Sequence, residues 1–216
     1  MDLAQYIEHT LLKQDATKEE LLKLFEEAKT YKFKGVCVNP QNVKLAYENL
    51  KDSNVKIVTV VGFPLGASIP EAKAFEAKMA IEQGADEIDM VLSVQAMKDK
   101  DYEYVENDIK TVKAACKDKN LKVIIETDLL TKDEIVKACE IIVKAGADFA
   151  KTSTGFVKNG VGAKVEDIEL MHKTLQGSNV KIKASGGIKD SAKAQALINA
   201  GATRLGTSSG VSIYQT

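Results

Sequence analysis

Short apolar runs alternate with amphipathic helical stretches along the whole chain, and this alternation limits the possible folds more than any other feature. The strand candidates are Tyr6–Leu11, Gly35–Val38, Lys56–Gly62, Glu87–Leu92, Lys122–Thr127, Phe149–Thr154, Lys181–Ser185 and Arg204–Thr207. Most of them are rich in Val, Ile and Thr, as is typical of strands buried on both faces. The helical stretches are Lys18–Tyr31, Val43–Leu50, Pro70–Gln83, Tyr102–Lys117, Lys132–Ala145, Val165–Leu175 and Ser191–Ala200.

A repeated turn supports this division. Gly84, Gly146 and Gly201 each follow a helical stretch and precede a strand, in the segments QGAD, AGAD and AGAT. A glycine at this place predicts a helix that ends in a left-handed residue.

Eight βα units within 216 residues predict a single-domain (β/α)₈ TIM barrel over residues 1–216, close to the lower size limit of about 200 residues for that fold. A doubly wound open sheet would show the same local pattern. Its dinucleotide-binding form requires a GxGxxG turn after the first strand, and the sequence has none there. The barrel is therefore the favoured fold.

Charge and composition exclude several classes of partner. The chain has 30 basic and 31 acidic residues, and Arg204 is its only arginine, so we predict no nucleic-acid partner. The longest uncharged stretch, Ile57–Pro70, has 14 residues. A membrane-spanning helix needs about 20, and the N-terminus does not resemble a secretory signal, so no membrane association is predicted.

The cysteines and histidines predict neither disulfides nor a metal site. Cys37, Cys116 and Cys139 form no CxxC pair, and the two histidines, His9 and His172, lie far apart in the sequence. Reduced thiols in a cytoplasmic protein are the expected state.

Charged residues occur inside or at the ends of four apolar strands: Asp89, Glu126, Lys151 and Lys183. Such a residue is costly in a strand buried on both faces unless it is paired or used. In a barrel, the C-terminal ends of the strands carry the active site. We therefore expect these side chains to be functional.

Lys151 is the candidate nucleophile for a Schiff base. It could instead be a lysine that extends to solvent, but its neighbours in the strand define no polar face. Schiff-base chemistry needs a neutral amine, whereas an ordinary lysine has a pKa near 10.4. Burial and the charge of Lys183 would lower that pKa. Asp89 either balances a lysine or holds Lys183 charged and moves protons through a bound water.

Small and hydroxylic residues follow the last three strands, in the segments Thr154-Gly155, Ser185-Gly186-Gly187 and Gly206–Gly210. Each glycine alone would indicate only a turn. Together they predict a phosphate pocket, because the loops after the last strands of a barrel often bind phosphate through backbone N–H groups. From sequence, Cys37 is a buried core thiol.

Eight segments of the chain resemble the deoxyribose-phosphate aldolase family, in order and with similar spacing. They are EHTLLK (Glu8–Lys13), GVCVNP (Gly35–Pro40), TVVGFPLG (Thr59–Gly66), EIDMVL (Glu87–Leu92), KVIIET (Lys122–Thr127), FAKTSTGF (Phe149–Phe156), KASGGI (Lys183–Ile188) and RLGTSSG (Arg204–Gly210). The resemblance implies a (β/α)₈ barrel without metal or organic cofactor. It also implies a reaction, the reversible cleavage of 2-deoxy-D-ribose 5-phosphate to acetaldehyde and D-glyceraldehyde 3-phosphate.

The resemblance also implies roles for individual residues. Lys151 matches the Schiff-base lysine, Lys183 the lysine that perturbs it, and Asp89 the acid/base partner. The residues that match the family's phosphate-binding segments are Gly155, Gly186, Gly187, Ser208 and Ser209, and those that match its pocket are Thr10 and Cys37. Sugar phosphates and aldehydes are the implied ligands, and a homodimer is an open possibility.

The chain departs from the family's pattern at two places, and two alternative functions stay open. Many family members have aspartate where this chain has Glu8, and the sequence leaves the role of that carboxylate open. Some members use a C-terminal tyrosine as a proton relay, and the role of Tyr214 is likewise open. The alternatives are another Schiff-base barrel enzyme, such as a transaldolase or keto-acid aldolase, and a phosphate-binding barrel without catalysis.

Overall fold

A computed structural model describes residues 2–215, and within them eight parallel strands pair in sequence order and close on each other as a barrel. The strands are β1 Ile7–Leu11, β2 Gly35–Val38, β3 Lys56–Val61, β4 Glu87–Val91, β5 Asn120–Ile124, β6 Phe149–Lys151, β7 Lys181–Ser185 and β8 Arg204–Thr207. The predicted (β/α)₈ fold is confirmed. Met1 and Thr216, the ends of the predicted 1–216 domain, lie outside the described residues.

Helices follow the strands and surround the barrel. They are α1 Lys18–Thr30, α2 Val43–Leu50, α3 Pro70–Glu82, α4 Val94–Lys98, α5 Tyr102–Cys116, α6 Lys132–Ala145, α7 Val165–Thr174, α8 Ser191–Asn199 and α9 Gly210–Gln215. The two shortest helices, α4 and α9, are not predicted from the sequence because they span too few residues to show a helical repeat.

The predicted helix boundaries follow from local chemistry. Thr17 and Thr131 cap α1 and α6 in reciprocal capping boxes with Glu20 and Glu134. The three glycines predicted to end helices all have positive φ: 110° at Gly84, 76° at Gly146 and 123° at Gly201.

Two strands, β5 and β6, end three residues earlier than predicted, and β3 and β4 each end one residue earlier. β5 ends at Ile124, and Glu126 adopts a left-handed conformation with φ of 58° that begins a 3₁₀ turn. β6 ends at Lys151, and in the buried segment that follows, the Thr154 N–H donates to the Glu126 carboxylate. Glu126 is therefore a loop residue at the barrel mouth, and its predicted place in a strand is wrong.

Side chains alternate along each strand between the helical layer and the inside of the barrel. The outward positions, such as Ile88, Met90 and Ala150, belong to one continuous apolar core under the helices. The inward positions include buried charged groups in place of the branched aliphatic residues that usually fill a barrel. The interior of this barrel is therefore partly charged, where most barrels have an aliphatic interior.

Within the described range 2–215, no helix has both the length and the apolar character needed to cross a membrane. The same residues contain no group of three or more His, Cys, Asp and Glu side chains arranged to hold a metal ion.

Candidate active site

The barrel brings Lys151, Lys183 and Asp89 together, although they lie on three different strands. Each is the third residue of its strand, β6, β7 and β4 respectively. The ammonium groups of Lys151 and Lys183 each donate to Oδ2 of Asp89 at 2.7 Å. Two cations therefore share one carboxylate oxygen inside a buried site.

The two lysines differ in their electrostatic environment. Burial and the nearby charge of Lys183 lower the pKa of Lys151, while Asp89 opposes that shift. Burial would also lower the pKa of Lys183, but the carboxylates of Asp89 and Glu8 raise it above its usual range. Lys183 is thus held as an ammonium, and Lys151 is the lysine that loses its proton first.

Asp89 remains a carboxylate. Burial would raise its pKa, but Lys122, Lys151 and Lys183 surround it and hold that pKa well below the usual range. Lys122 donates to the other oxygen, Oδ1, at 2.9 Å. Both oxygens of Asp89 therefore accept from lysine ammonium groups.

Four residues of this charged interior were missed by the sequence analysis as site residues: Glu8, Glu87, Lys122 and Arg204. They are buried, and ion pairs join them to one another and to Asp89 and Lys183. The sequence does contain an indication of one of them, since Glu87 lies two residues before Asp89 and so on the same face of β4. Glu8, whose role was left open, accepts from Lys183 and Arg204.

A cavity of about 650 Å³ opens at the C-terminal end of the barrel above this network. Its lining residues are Thr10, Leu11, Leu12, Lys13, Gln14, Asp15, Lys151, Ser153, Thr154, Gly155, Phe156, Ser185, Gly186, Gly187, Ile188, Lys189, Gly206, Thr207 and Ser208. Lys151 is 3% exposed and forms part of this lining, whereas Asp89 and Lys183 are fully buried behind it. A ligand in the cavity would therefore meet the network at Lys151.

Six of the ten predicted site residues line the cavity, and the other four do not. Those that line it are Lys151, Thr10, Gly155, Gly186, Gly187 and Ser208. Ser209 lies one residue further on, and its N–H donates to the Thr207 hydroxyl at 2.9 Å. Behind the cavity surface, Asp89 accepts from both Lys151 and Lys183, and Cys37 is also fully buried.

Cys37 is fully buried and packs with Val58 and Val60 of β3 in a small apolar cluster inside the barrel. Burial raises the pKa of its thiol to about 11, so the thiol is neutral at physiological pH. This apolar sector lies on β2 and β3, between β1, which carries Glu8, and β4, which carries Glu87 and Asp89. Of the two interpretations made from sequence, a buried core thiol and a pocket-lining residue, the first describes this environment better.

The loops after β6 and β7 pack backbone against backbone beside the cavity. Gly187 has φ of 66°, and a Cβ there would lie 2.4 Å from the carbonyl oxygen of Val161, so only glycine fits. The ammonium group of Lys193 lies 3.4 Å from the same Cβ position. Within residues 2–215 the N–H groups of Gly186 and Gly187 find no acceptor, which leaves them free to bind a ligand.

Tyr214 lies outside the barrel interior. Its ring packs edge-on against Tyr31 and Phe33, with centroid distances of 5.7 and 6.1 Å. It does not belong to the lining of the cavity. In this arrangement Tyr214 has no contact with Lys151.

Residues 3–216 match the family model described as DeoC/LacD family aldolase. The chain belongs to the DeoC/LacD aldolase family. The deoxyribose-phosphate aldolase of Clostridium botulinum (strain Langeland) is 57% identical over 215 residues, which cover 100% of both chains. The chain thus has a relative at high identity that matches it over its whole length.

Solved structures agree with that assignment. A structure from Coccidioides immitis, assigned as a deoxyribose-phosphate aldolase, superposes with a TM-score of 0.96 at 42% identity and covers 99% of this chain and 85% of its own. The deoxyribose phosphate aldolase of Aeropyrum pernix, described as a tetramer, gives 0.88 at 32% identity and covers 99% and 89%. The chain is therefore a lyase with the TIM-barrel fold of those proteins.

Proposed function

We propose that the protein is a class I aldolase that reversibly cleaves 2-deoxy-D-ribose 5-phosphate to acetaldehyde and D-glyceraldehyde 3-phosphate through a Schiff base on Lys151. One observation carries this proposal: Lys151 alone of the buried lysine pair reaches the cavity, and its pKa is lowered. The name shared by the Clostridium and Aeropyrum relatives supports the substrate.

The first half of the reaction follows from the neutral amine. The Lys151 nitrogen adds to the C1 aldehyde carbon of the open-chain sugar and forms a C–N bond. The carbonyl oxygen takes up protons and leaves as water, so that a protonated imine remains. Asp89 contacts Lys151 directly, and Lys183 donates to the same Asp89 oxygen, so these two residues are the groups that supply and accept the protons.

The second half uses the imine as an electron sink. The C3 hydroxyl loses its proton, the C2–C3 bond breaks, and its electron pair moves through C2 toward the imine nitrogen to give an enamine. D-Glyceraldehyde 3-phosphate leaves. Protonation at C2 and addition of water then release acetaldehyde and return Lys151 as a free amine, so no cofactor is consumed.

The phosphate of the substrate is assigned to the loops after β6, β7 and β8. The unpartnered N–H groups of Gly186 and Gly187 and the exposed hydroxyl of Ser208 border the same cavity as Lys151. The lysines Lys189 and Lys193 add positive charge nearby. Neutral donors and lysines are enough to bind the phosphate dianion without arginine, because backbone N–H groups directed at a dianion stabilise it strongly.

Reductive trapping tests the proposal. The protein is mixed with acetaldehyde and borohydride, digested, and mapped by mass spectrometry. We expect an ethyl group on Lys151 and loss of aldolase activity in proportion to labelling. Labelling confined to exposed lysines would refute the Schiff-base assignment.

Two variants make that test specific. Lys151→Met should abolish labelling and cleavage, because no other lysine borders the cavity with its amine against Asp89. Lys73 is an equally buried lysine, paired with Asp108 at 2.6 Å away from the cavity. Lys73→Met should therefore keep both labelling and cleavage in the folded protein.

A homodimer and a cytoplasmic location are the further parts of this proposal. Exposed apolar side chains at Leu65, Ile69 and Phe75, on α3 and the loop before it, support association with a second copy. Three free, buried cysteines support a reducing compartment. Sedimentation analysis would show a single monomeric species if the homodimer is wrong.

A further inference from the structure

The ion pairs around Asp89 continue to the opposite, N-terminal end of the barrel. Lys122 lies at the centre, 2.9 Å from Asp89 Oδ1, 2.5 Å from Glu87 Oε2 and 3.4 Å from Glu8 Oε1. Arg204 binds Glu8 at 2.8 Å and Glu87 at 3.3 Å. We call the seven connected residues Glu8, Glu87, Asp89, Lys122, Lys151, Lys183 and Arg204 the barrel network.

Two members of the barrel network are remote from any substrate. Glu87 and Arg204 are the first residues of β4 and β8, and the Arg204 guanidinium lies 5.4 Å from the centre of the Phe149 ring. Neither contacts Lys151 or Asp89 directly. Of the seven members, only Lys151 borders the cavity.

The charges of the barrel network do not balance when every member is ionised. It then holds four cations and three carboxylates, one positive charge in excess. No side chain in it is more than 9% exposed, so solvent screens that excess poorly. When Lys151 is neutral, three cations face three carboxylates and the excess disappears.

We propose that Arg204 and Glu87 are positioning residues that set the protonation state of Lys151 through the charge balance of the barrel network, from a place that does not border the cavity. The inference rests on the proposed function, in which Lys151 reacts as a free amine. It predicts that the reactivity of Lys151 responds to the sign of the charge removed at the far end of the barrel. Direct contact with Asp89 is not required.

Two other ionisable groups face Lys151 but are not among the charges counted in the barrel network. Burial raises the pKa of the Cys37 thiol to about 11, so Cys37 on β2 is neutral. Glu126, in the loop after β5, accepts from the N–H and hydroxyl of Thr154, and burial raises its pKa. No ion pair joins either of them to the barrel network in residues 2–215.

Three variants test whether the shift in the pH midpoint of Lys151 trapping follows the sign of the charge that is removed. Arg204→Met leaves two cations facing three carboxylates, so a protonated Lys151 restores balance, and the pH midpoint of acetaldehyde trapping should rise by about one unit. Glu87→Gln leaves three cations and two carboxylates, so the midpoint should fall by a similar amount. The double variant leaves two of each and should return close to the wild-type midpoint.

The controls separate charge from structural damage. Lys73→Met removes a buried ammonium outside the barrel network and should leave the midpoint unchanged. Circular dichroism and unfolding temperatures identify variants that fold. If Arg204→Met does not fold, the pair of Glu87→Gln and the double variant still decides the question.

The outcomes distinguish this inference from the proposed function. A midpoint that is the same in all folded variants, or that moves in one direction for both single variants, overturns the charge-balance inference alone. Absence of labelling at Lys151 in the wild-type protein overturns the proposed function, and the inference with it. Opposite midpoint shifts in the two single variants that cancel in the double variant support the charge-balance inference.

Discussion

Lys151 and Lys183 donate to the same oxygen of Asp89, each at 2.7 Å, from the neighbouring strands β6 and β7. The arrangement is asymmetric because Lys183 also binds Glu8 while Lys151 borders the cavity. One lysine is thereby fixed as a cation beside the other. The first prediction follows directly from this asymmetry.

Lys183→Met should move the alkaline rise in activity to higher pH. The charge of Lys183 lowers the pKa of Lys151, so its removal raises that pKa and leaves less free amine at neutral pH. The pH dependence of acetaldehyde trapping measures the shift. Lys183→Arg keeps the charge and should recover most of the wild-type midpoint, whereas identical profiles for the two variants would contradict an electrostatic role.

Asp89→Asn should impair turnover more than imine formation. Asp89 is ionised and contacts the amine that reacts, so it is placed to move protons during turnover. General acid–base catalysis typically contributes about 10²–10⁴-fold, and we expect a loss of kcat in that range. Comparing kcat with the rate of borohydride labelling separates the two steps. Asp108→Asn, at a buried aspartate paired with Lys73, is the matched control, and an equal loss there would point to general destabilisation.

The phosphate pocket predicts a strong preference for phosphorylated sugar. Unphosphorylated 2-deoxyribose should react much more slowly, since binding energy at the phosphate helps to position the sugar against Lys151. Ser208→Glu should reduce the preference by about tenfold or more through charge repulsion. Ser208→Gln, of similar size without the charge, should not. The ratio of kcat/KM for the two sugars is the measurement, and equal rates in the wild-type protein would show that this pocket is misassigned.

The lowered pKa of Glu87 predicts that the folded protein loses stability in acid. Burial would raise its pKa, but Lys122 and Arg204 lower it from 4.5 to about 2. A lowered pKa in the folded state stabilises the protein above pH 4.5, and this contribution is lost as the pH falls towards 2. The shift corresponds to about 3 kcal/mol. Urea unfolding of Glu87→Gln over this range should show a shallower pH dependence than wild type, and parallel curves would contradict the assignment.

The sequence determined the barrel and singled out Lys151 as a candidate site residue because both depend on local patterns. The strand and helix order follows from the alternation of apolar runs and amphipathic stretches, and the ends of α1 and α6 follow from their capping residues. Lys151, Lys183 and Asp89 were conspicuous since charged residues are rare in strands buried on both faces.

Only the tertiary structure decided which partners those residues have. Lys183 meets Glu8 across 175 residues of sequence, and Arg204 meets Glu8 across 196. These contacts exist because β8 closes onto β1 and because side chains alternate between the two faces of each strand, so a shift of one residue in register would point them outward. For the same reason the sequence alone did not distinguish Ser208, at the cavity, from Ser209 behind it. The sequence thus determines which groups are buried, while strand pairing and closure determine which charges share the interior.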